Sequence, residues 1–276
     1  KMEATSFVSP RVIPQLRDAE ELFQRIERLP GVQYLALVPN RKGAERALAA
    51  GADGVKIVIC VSDSYNRRNV GMSVEESFAV CGDVRELVTS RGKAAEVVIG
   101  LSFGCPLDGP TEPGRVAQMT ERLAKQGFVE VSIADSMGVA NPLQVRRLMR
   151  RLQDEFPQLH FSLHLHNTRG LALANALAAL EEGIDEFDCS FGGLGGSEVV
   201  VRGAGGNLAT EDFLNMAHEM GIETGVSLEG VRNVSRMAEQ VLARELDGYV
   251  YTVGTPEEFY ARCRETAPSG KSSERA

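Results

Sequence analysis

His-Leu-His at His164–His166 carries the clearest chemical signal in the chain. In a strand, residues i and i+2 project from one face, so both imidazoles would enter the same space. Two convergent imidazoles suit a divalent metal, and otherwise read as a hydrogen-bonded pair of core histidines. Asp135 closes the preceding apolar run, in IADSMG. A carboxylate there is a candidate to bind metal through water, or to orient substrate or a ligating His; its alternative is a cap for the helix after Asn141-Pro142. Glu3 alternates with Thr5 in the first apolar run. On an inward face it needs a partner, which makes it a site candidate; on an outward face it is simply solvated. Asn207 follows two glycine clusters, Gly192–Gly196 and Gly203–Gly206. Its amide oxygen can ligate a hard cation, or its side chain can cap a helix. The glycine-rich stretch reads as a movable cover for a site or as a plain connector. Tyr65-Asn66-Arg67-Arg68-Asn69 is a basic stretch in an acidic chain, either a receptor for an anionic substrate tail or a solvated loop. Cys105, in FGCP, either packs inertly or approaches substrate.

These residues need elements to hold them. Short Val- and Ile-rich runs stand at Met2–Phe7, Tyr34–Pro39, Val55–Val61, Glu96–Ser102, Val129–Asp135, His160–His166 and Glu186–Phe191. Amphipathic stretches lie between them, at Ala19–Leu29, Lys42–Ala50, Val74–Ser90, Pro113–Gln126, Pro142–Glu155, Gly170–Glu182 and Thr210–Met220. Ser73 with Glu76 has capping-box spacing, and Pro113 and Pro142 fit a first helical turn. Strand and helix in strict alternation means a parallel sheet covered by helices. The regular repeat, and the recurrence of polar groups at strand C-termini, favour a (β/α)8 TIM barrel over an open seven-stranded sheet. Seven strand–helix units are visible where a closed barrel has eight, so the first unit is expected to be absent from this chain. Leu228–Leu246 reads as an extra C-terminal helix. The expected organisation is one barrel domain over 1–266 and a polar tail over 267–276.

Composition narrows the partners. The net charge is −8, which argues against broad nucleic-acid binding. No apolar run approaches the ~20 residues of a membrane span. Five scattered Cys without a CxxC pair read as reduced thiols, and no signal peptide is recognisable, so the expected location is cytoplasmic or an organelle matrix.

Several motifs occur in order: EATSFVSPR at Glu3–Arg11, PNRKG at Pro39–Gly43, FGCP at Phe103–Pro106, ADSMGVANP at Ala134–Pro142, HLHNTRG at His164–Gly170 with ALAN at Ala172–Asn175, GGLGG at Gly192–Gly196, GN at Gly206–Asn207 and ATED at Ala209–Asp212. Together they resemble the 3-hydroxy-3-methylglutaryl-CoA lyase family of the metal-dependent lyase/aldolase barrels, over roughly residues 3–255.

The resemblance implies a (β/α)8 barrel holding Mg2+ or Mn2+. His164, His166 and Asn207 match the family's metal ligands, and Glu3 and Asp135 match its active-site carboxylates. A further Asp ligand and a catalytic Arg belong to the strand not seen here. The implied reaction is retro-Claisen cleavage of an acyl-CoA substrate to acetyl-CoA and a keto acid, with His164 or a carboxylate managing the proton. Arg67 and Arg68 are candidates to receive the CoA phosphates, and a homodimer is compatible with the reading. The chain departs from the family at Ser197, where a proton-donating Cys is usual, and in the loop Glu198–Arg202. A condensing acyltransferase, an aldolase of another 3-hydroxy acid and a non-catalytic relative are the alternatives.

Overall fold

The structure, a computed structural model, describes residues 1–196 and 205–266. Seven strands form a parallel sheet: β1 (Met2–Ser6), β2 (Tyr34–Val38), β3 (Gly54–Cys60), β4 (Ala94–Gly100), β7 (Glu130–Asp135), β8 (His160–Leu165) and β9 (Glu186–Asp188), hydrogen-bonded in that order. A two-stranded ribbon, β5 (Gly104–Cys105) with β6 (Gly109–Pro110), follows the end of β4. The connecting helices are α1 (Ala19–Arg25), α2 (Arg41–Ala49), α3 (Asp63–Val70), α4 (Val74–Thr89), α5 (Pro113–Lys125), α6 (Pro142–Glu155) and α7 (Ala172–Leu180). The sheet curls as a TIM-barrel sheet does. The Lys1 ammonium, beside β1 at one edge, lies 3.0 Å from Glu186 of β9 at the other. Among the described residues β1 and β9 each pair on one side only, so the sheet stays open between them.

Period-2 alternation divides each strand between two environments. Val55, Ile57 and Ile59 of β3, Val97 and Ile99 of β4, Val131 and Ile133 of β7 and Phe161 and Leu163 of β8 are all buried. They share one face, with Val116, Leu123, Leu148, Met149 and Ala176 among the buried helix residues. Each such side chain contributes roughly 1.5–3 kcal/mol by leaving water. The alternate positions carry the polar residues Lys56, Glu96, Glu130, Ser132, His160, Ser162, His164, Glu186 and Asp188. The register keeps them on the other face, pairing Lys56 with Glu96, Glu130 with His160 and His164 with Asp188. The inner face is therefore strongly charged, and the core lies between sheet and helices.

Local signals act as their chemistry dictates. Ser73 and Glu76 form the expected capping box of α4, and Asn141 with Gln144 forms another at α6. The stretch Tyr65–Asn69, anticipated as a candidate loop, lies within helix α3, capped by the Ser62 hydroxyl. Its sequence lacks an apolar stripe because the buried anchors are Tyr65 and Asn66. The Asn66 amide group instead donates to Met72 O, Ser73 O and Ser77 Oγ.

The residues fall into two compact units. The first is Lys1–Asp188 with Gly196–Asn207; the second is Cys189–Gly195 with the chain from Leu208 on. The second unit holds α8 (Thr210–Glu219), α9 (Leu228–Leu242), α10 (Val250–Val253) and α11 (Pro256–Thr266), so the expected extra helix is followed by two more. Its buried acid, Glu211, accepts the Gly192 N–H with both carboxylate oxygens at 3.1 and 3.0 Å. Gly192 has φ +62°, and a Cβ there would collide with Leu246, so this turn requires glycine. Glu211→Ala strands a buried donor and should lower stability by about 1–3 kcal/mol in urea unfolding, with Glu211→Gln closer to the parent.

Candidate functional site

The end of β8 brings the two imidazoles together. His164 Nε2 and His166 Nε2 lie 3.2 Å apart. Each ring is held through its other nitrogen. His164 Nδ1 is 3.3 Å from Asp188 Oδ2, and His166 Nδ1 is 3.3 Å from Gly205 O. A carboxylate and a carbonyl only accept, so each Nδ1 donates to its partner and the two Nε2 atoms face the same point. Burial, then the adjacent His164, pull the His166 pKa down to about 4, which keeps that ring neutral near pH 7.

Asn207 reaches this place through its backbone. It forms an antiparallel bridge with His166, and Gly206 O accepts from Asn167 N–H at 2.7 Å. Gly205 N–H donates to Thr168 Oγ1 at 3.0 Å. A Cβ on Gly205 would stand 2.8 Å from Thr168 Cα, so this close crossing of two backbones needs glycine.

The charged residues of the inner face surround the pair. Asp188 accepts from Lys56 Nζ at 2.5 Å as well as from His164. Burial alone would raise its carboxyl, but the His164 hydrogen bond and the Lys56 charge outweigh burial and hold it well below the usual carboxylate range. Glu3 stands at the open edge, where solvent reaches it. Desolvation by the surrounding protein raises its carboxyl above the usual range, against the nearby charges of Lys56 and His164. A carboxyl poised in this way can carry a proton. Asp135 is almost fully buried, and its carboxylate accepts from Val139 N–H at 3.0 Å and Ala140 N–H at 2.9 Å. Its direct bonds thus shape the turn after β7, beside the backbone of His166, which donates to Asp135 O at 3.3 Å. Burial raises the Asp135 carboxyl, while those amides oppose the shift.

The remaining candidates have other partners or lie outside the described residues. Arg67 donates to Asp63 at 2.8 Å on the exposed side of α3, with Arg68 next to it on the same helix. Cys105 is buried with Cys60, Tyr65, Leu101 and Met137. Ser197 lies outside the described residues. Sequence reasoning did not single out Lys56, Asp188 or Glu96, although a charge inside an apolar strand run was the available signal.

A second acid–imidazole group occurs at the opposite ends of the strands. Glu130, His160 and Glu186 could together hold a metal ion. The Lys1 ammonium stands among them, bonded to Glu130 and Glu186 and 2.8 Å from Glu96. These carboxylates therefore already have a cation from the chain itself.

A curled parallel β/α sheet with paired imidazoles and carboxylates at the C-terminal ends of its strands is the architecture of a barrel enzyme. Comparison with known proteins narrows that class. Residues 13–238 match the HMGL-like family. The mitochondrial hydroxymethylglutaryl-CoA lyase of Mus musculus is 37% identical over 249 residues, covering 90% of this chain and 76% of that one. The hydroxymethylglutaryl-CoA lyase YngG of Bacillus subtilis is 38% identical over 245 residues, with 89% and 82% covered. Among solved structures, an HMG-CoA lyase of Acinetobacter baumannii, in complex with coenzyme A and 3-methylmalate, superposes with TM-score 0.87 at 38% identity, covering 92% of this chain and 83% of that one. The chain belongs to the HMGL-like family.

Proposed function

We propose that this protein is a metal-dependent carbon–carbon lyase that cleaves 3-hydroxy-3-methylglutaryl-CoA, or a close thioester, to acetyl-CoA and a keto acid. The observation that carries the reading is the pair of imidazoles turned Nε2 to Nε2 at 3.2 Å, each held through Nδ1 by an oxygen acceptor. Two lone pairs at that distance repel unless a proton or a cation lies between them. The donor set fits a divalent ion, with His164 and His166 as nitrogen ligands and Asn207 as the oxygen ligand. A bound Mg2+ or Mn2+ would supply positive charge that stabilises the oxyanion developing as the C–C bond breaks.

The protein's residues divide the remaining work. Asp188 and Gly205 O fix the two rings, so neither has to reorient when substrate enters. A base must take the tertiary hydroxyl proton as the C–C bond opens, and an acid must return a proton to the acetyl-CoA enolate carbon. Glu3 and Asp135 are the site's candidates for the first role, because His164, with Nδ1 donating to Asp188 and Nε2 given to the metal, has no lone pair left for it; Ser197 takes the family donor's position in the sequence. Asp135 also shapes the wall beside β8 through its two backbone bonds. Arg67 and Arg68 are assigned to the CoA phosphates.

Names of relatives support the acyl-CoA substrate, and the solved complex with coenzyme A supports a CoA-shaped site. No helix among the described residues is long and apolar enough to cross a membrane. We assign the protein to the cytoplasm or an organelle matrix, acting on an acyl-CoA without nucleic acid or membrane. The test is metal removal. Exhaustive chelation should reduce thioester cleavage to background, and Mg2+ or Mn2+ should restore it; full activity in chelator would refute metal dependence.

A further inference from the structure

Lys56 is a lysine in the middle of an otherwise apolar strand, and only 3% of it is exposed. An ammonium so placed costs several kcal/mol in lost hydration unless close carboxylates compensate it. Two do so. Asp188 Oδ1 lies 2.5 Å from Nζ, and Glu96 Oε2 lies 3.7 Å away. Glu96 is in turn 2.8 Å from the Lys1 ammonium. Lys1, Glu96, Lys56 and Asp188 thus form a line of alternating charge along the inner face, which starts at the N-terminal ends of the strands and ends at the His164 ring near their C-terminal ends.

The direction of this line matters. Asp188 uses Oδ1 for Lys56 and Oδ2 for His164, so the carboxylate is clamped at both oxygens. Without Lys56, it could rotate away from the His164 ring or swing toward solvent at the open sheet edge. The ring would then be free to flip or to change tautomer. We propose that Lys56 is a positioning residue: it locks Asp188 in place, and Asp188 orients His164 so that Nε2 faces the site. The inference rests on the reading of His164 as a metal ligand, and it adds a residue of β3, three strands from β8 in the sheet. A simple packing role for Lys56 would not require its charge.

The experiment compares the full chain with Lys56→Met, Lys56→Arg and His164→Ala. Two quantities are read: Mn2+ affinity without substrate, and the ring-nitrogen NMR shifts of His164 in metal-free protein. The parent should show His164 protonated on Nδ1. Lys56→Met should weaken Mn2+ binding about 10–100-fold, as loss of groups supporting a ligand does. It should also mix the His164 tautomers while leaving His166 unchanged, and Lys56→Arg should restore both readouts to near the parent. If His164→Ala loses Mn2+ while folded Lys56→Met keeps both affinity and tautomer, the positioning role is overturned and the metal site stands. If His164→Ala binds Mn2+ as the parent does, the metal-site reading fails, and the proposal fails with it. Should Lys56→Met not fold, the parent spectrum still decides: His164 protonated on Nε2 overturns the proposal.

Discussion

His166→Ala should abolish turnover, with kcat/KM falling at least ~10³-fold, the scale lost when a charge-stabilising group is removed from an active site. The residue is buried, and burial together with His164 keeps it neutral at pH 7 with Nε2 available. Alanine removes one of the two nitrogens, 3.2 Å apart, that define the proposed cation position. Among the described residues its ring bonds only to Gly205 O and His164, so the fold should survive the change. Steady-state kinetics with saturating Mn2+, alongside a thermal melt, checks both parts. A folded variant retaining more than a tenth of the parent activity would remove His166 from the site.

The second large effect belongs to Ser197. Lyases of the family that this chain resembles carry Cys there, directly after GGLGG, as the donor that protonates the enolate. A thiol has a pKa near ~8.5, and a serine hydroxyl is a far weaker acid. General acid catalysis is typically worth ~10²–10⁴-fold, so Ser197→Cys should raise cleavage of 3-hydroxy-3-methylglutaryl-CoA measurably. The gain should fall in kcat with KM little changed, because the donor acts on developing charge and not on bound ground-state substrate. Cys105→Ala and Cys189→Ala serve as controls for a substitute thiol donor. A flat response in a metal-loaded protein would favour a loop reshaped for a different thioester, and with it the condensing or aldol alternatives.

Much of this arrangement was legible in the chain. His164 and His166 announced themselves because a strand's period of two cannot separate residues i and i+2. The alternation of Val- and Ile-rich runs with capped helices gave the parallel order of the sheet. Boundaries were read within a few residues wherever a cap was explicit, as at Ser73 and Asn141. Three things were hidden. Helix α3 has no apolar stripe, since its buried contacts are made by Tyr65 and the polar Asn66. The Asp135 side chain reads as a site carboxylate or a helix cap, whereas its geometry is set by two backbone amides four and five residues downstream, a turn that spacing alone does not reveal. Lys56, Glu96 and Asp188 sit on three strands: register sets Lys56 beside Glu96, and the curl of the sheet brings Asp188 to it. Long-range register creates those contacts, and no local pattern encodes them.

The most direct test of the account is to incubate the metal-loaded protein with isotopically labelled 3-hydroxy-3-methylglutaryl-CoA and follow the products by NMR. The account predicts acetyl-CoA and acetoacetate appearing in equal amounts as substrate disappears, with no signal in the His166→Ala variant. Unchanged substrate in the presence of bound metal, or a product that keeps the C–C bond, would contradict it.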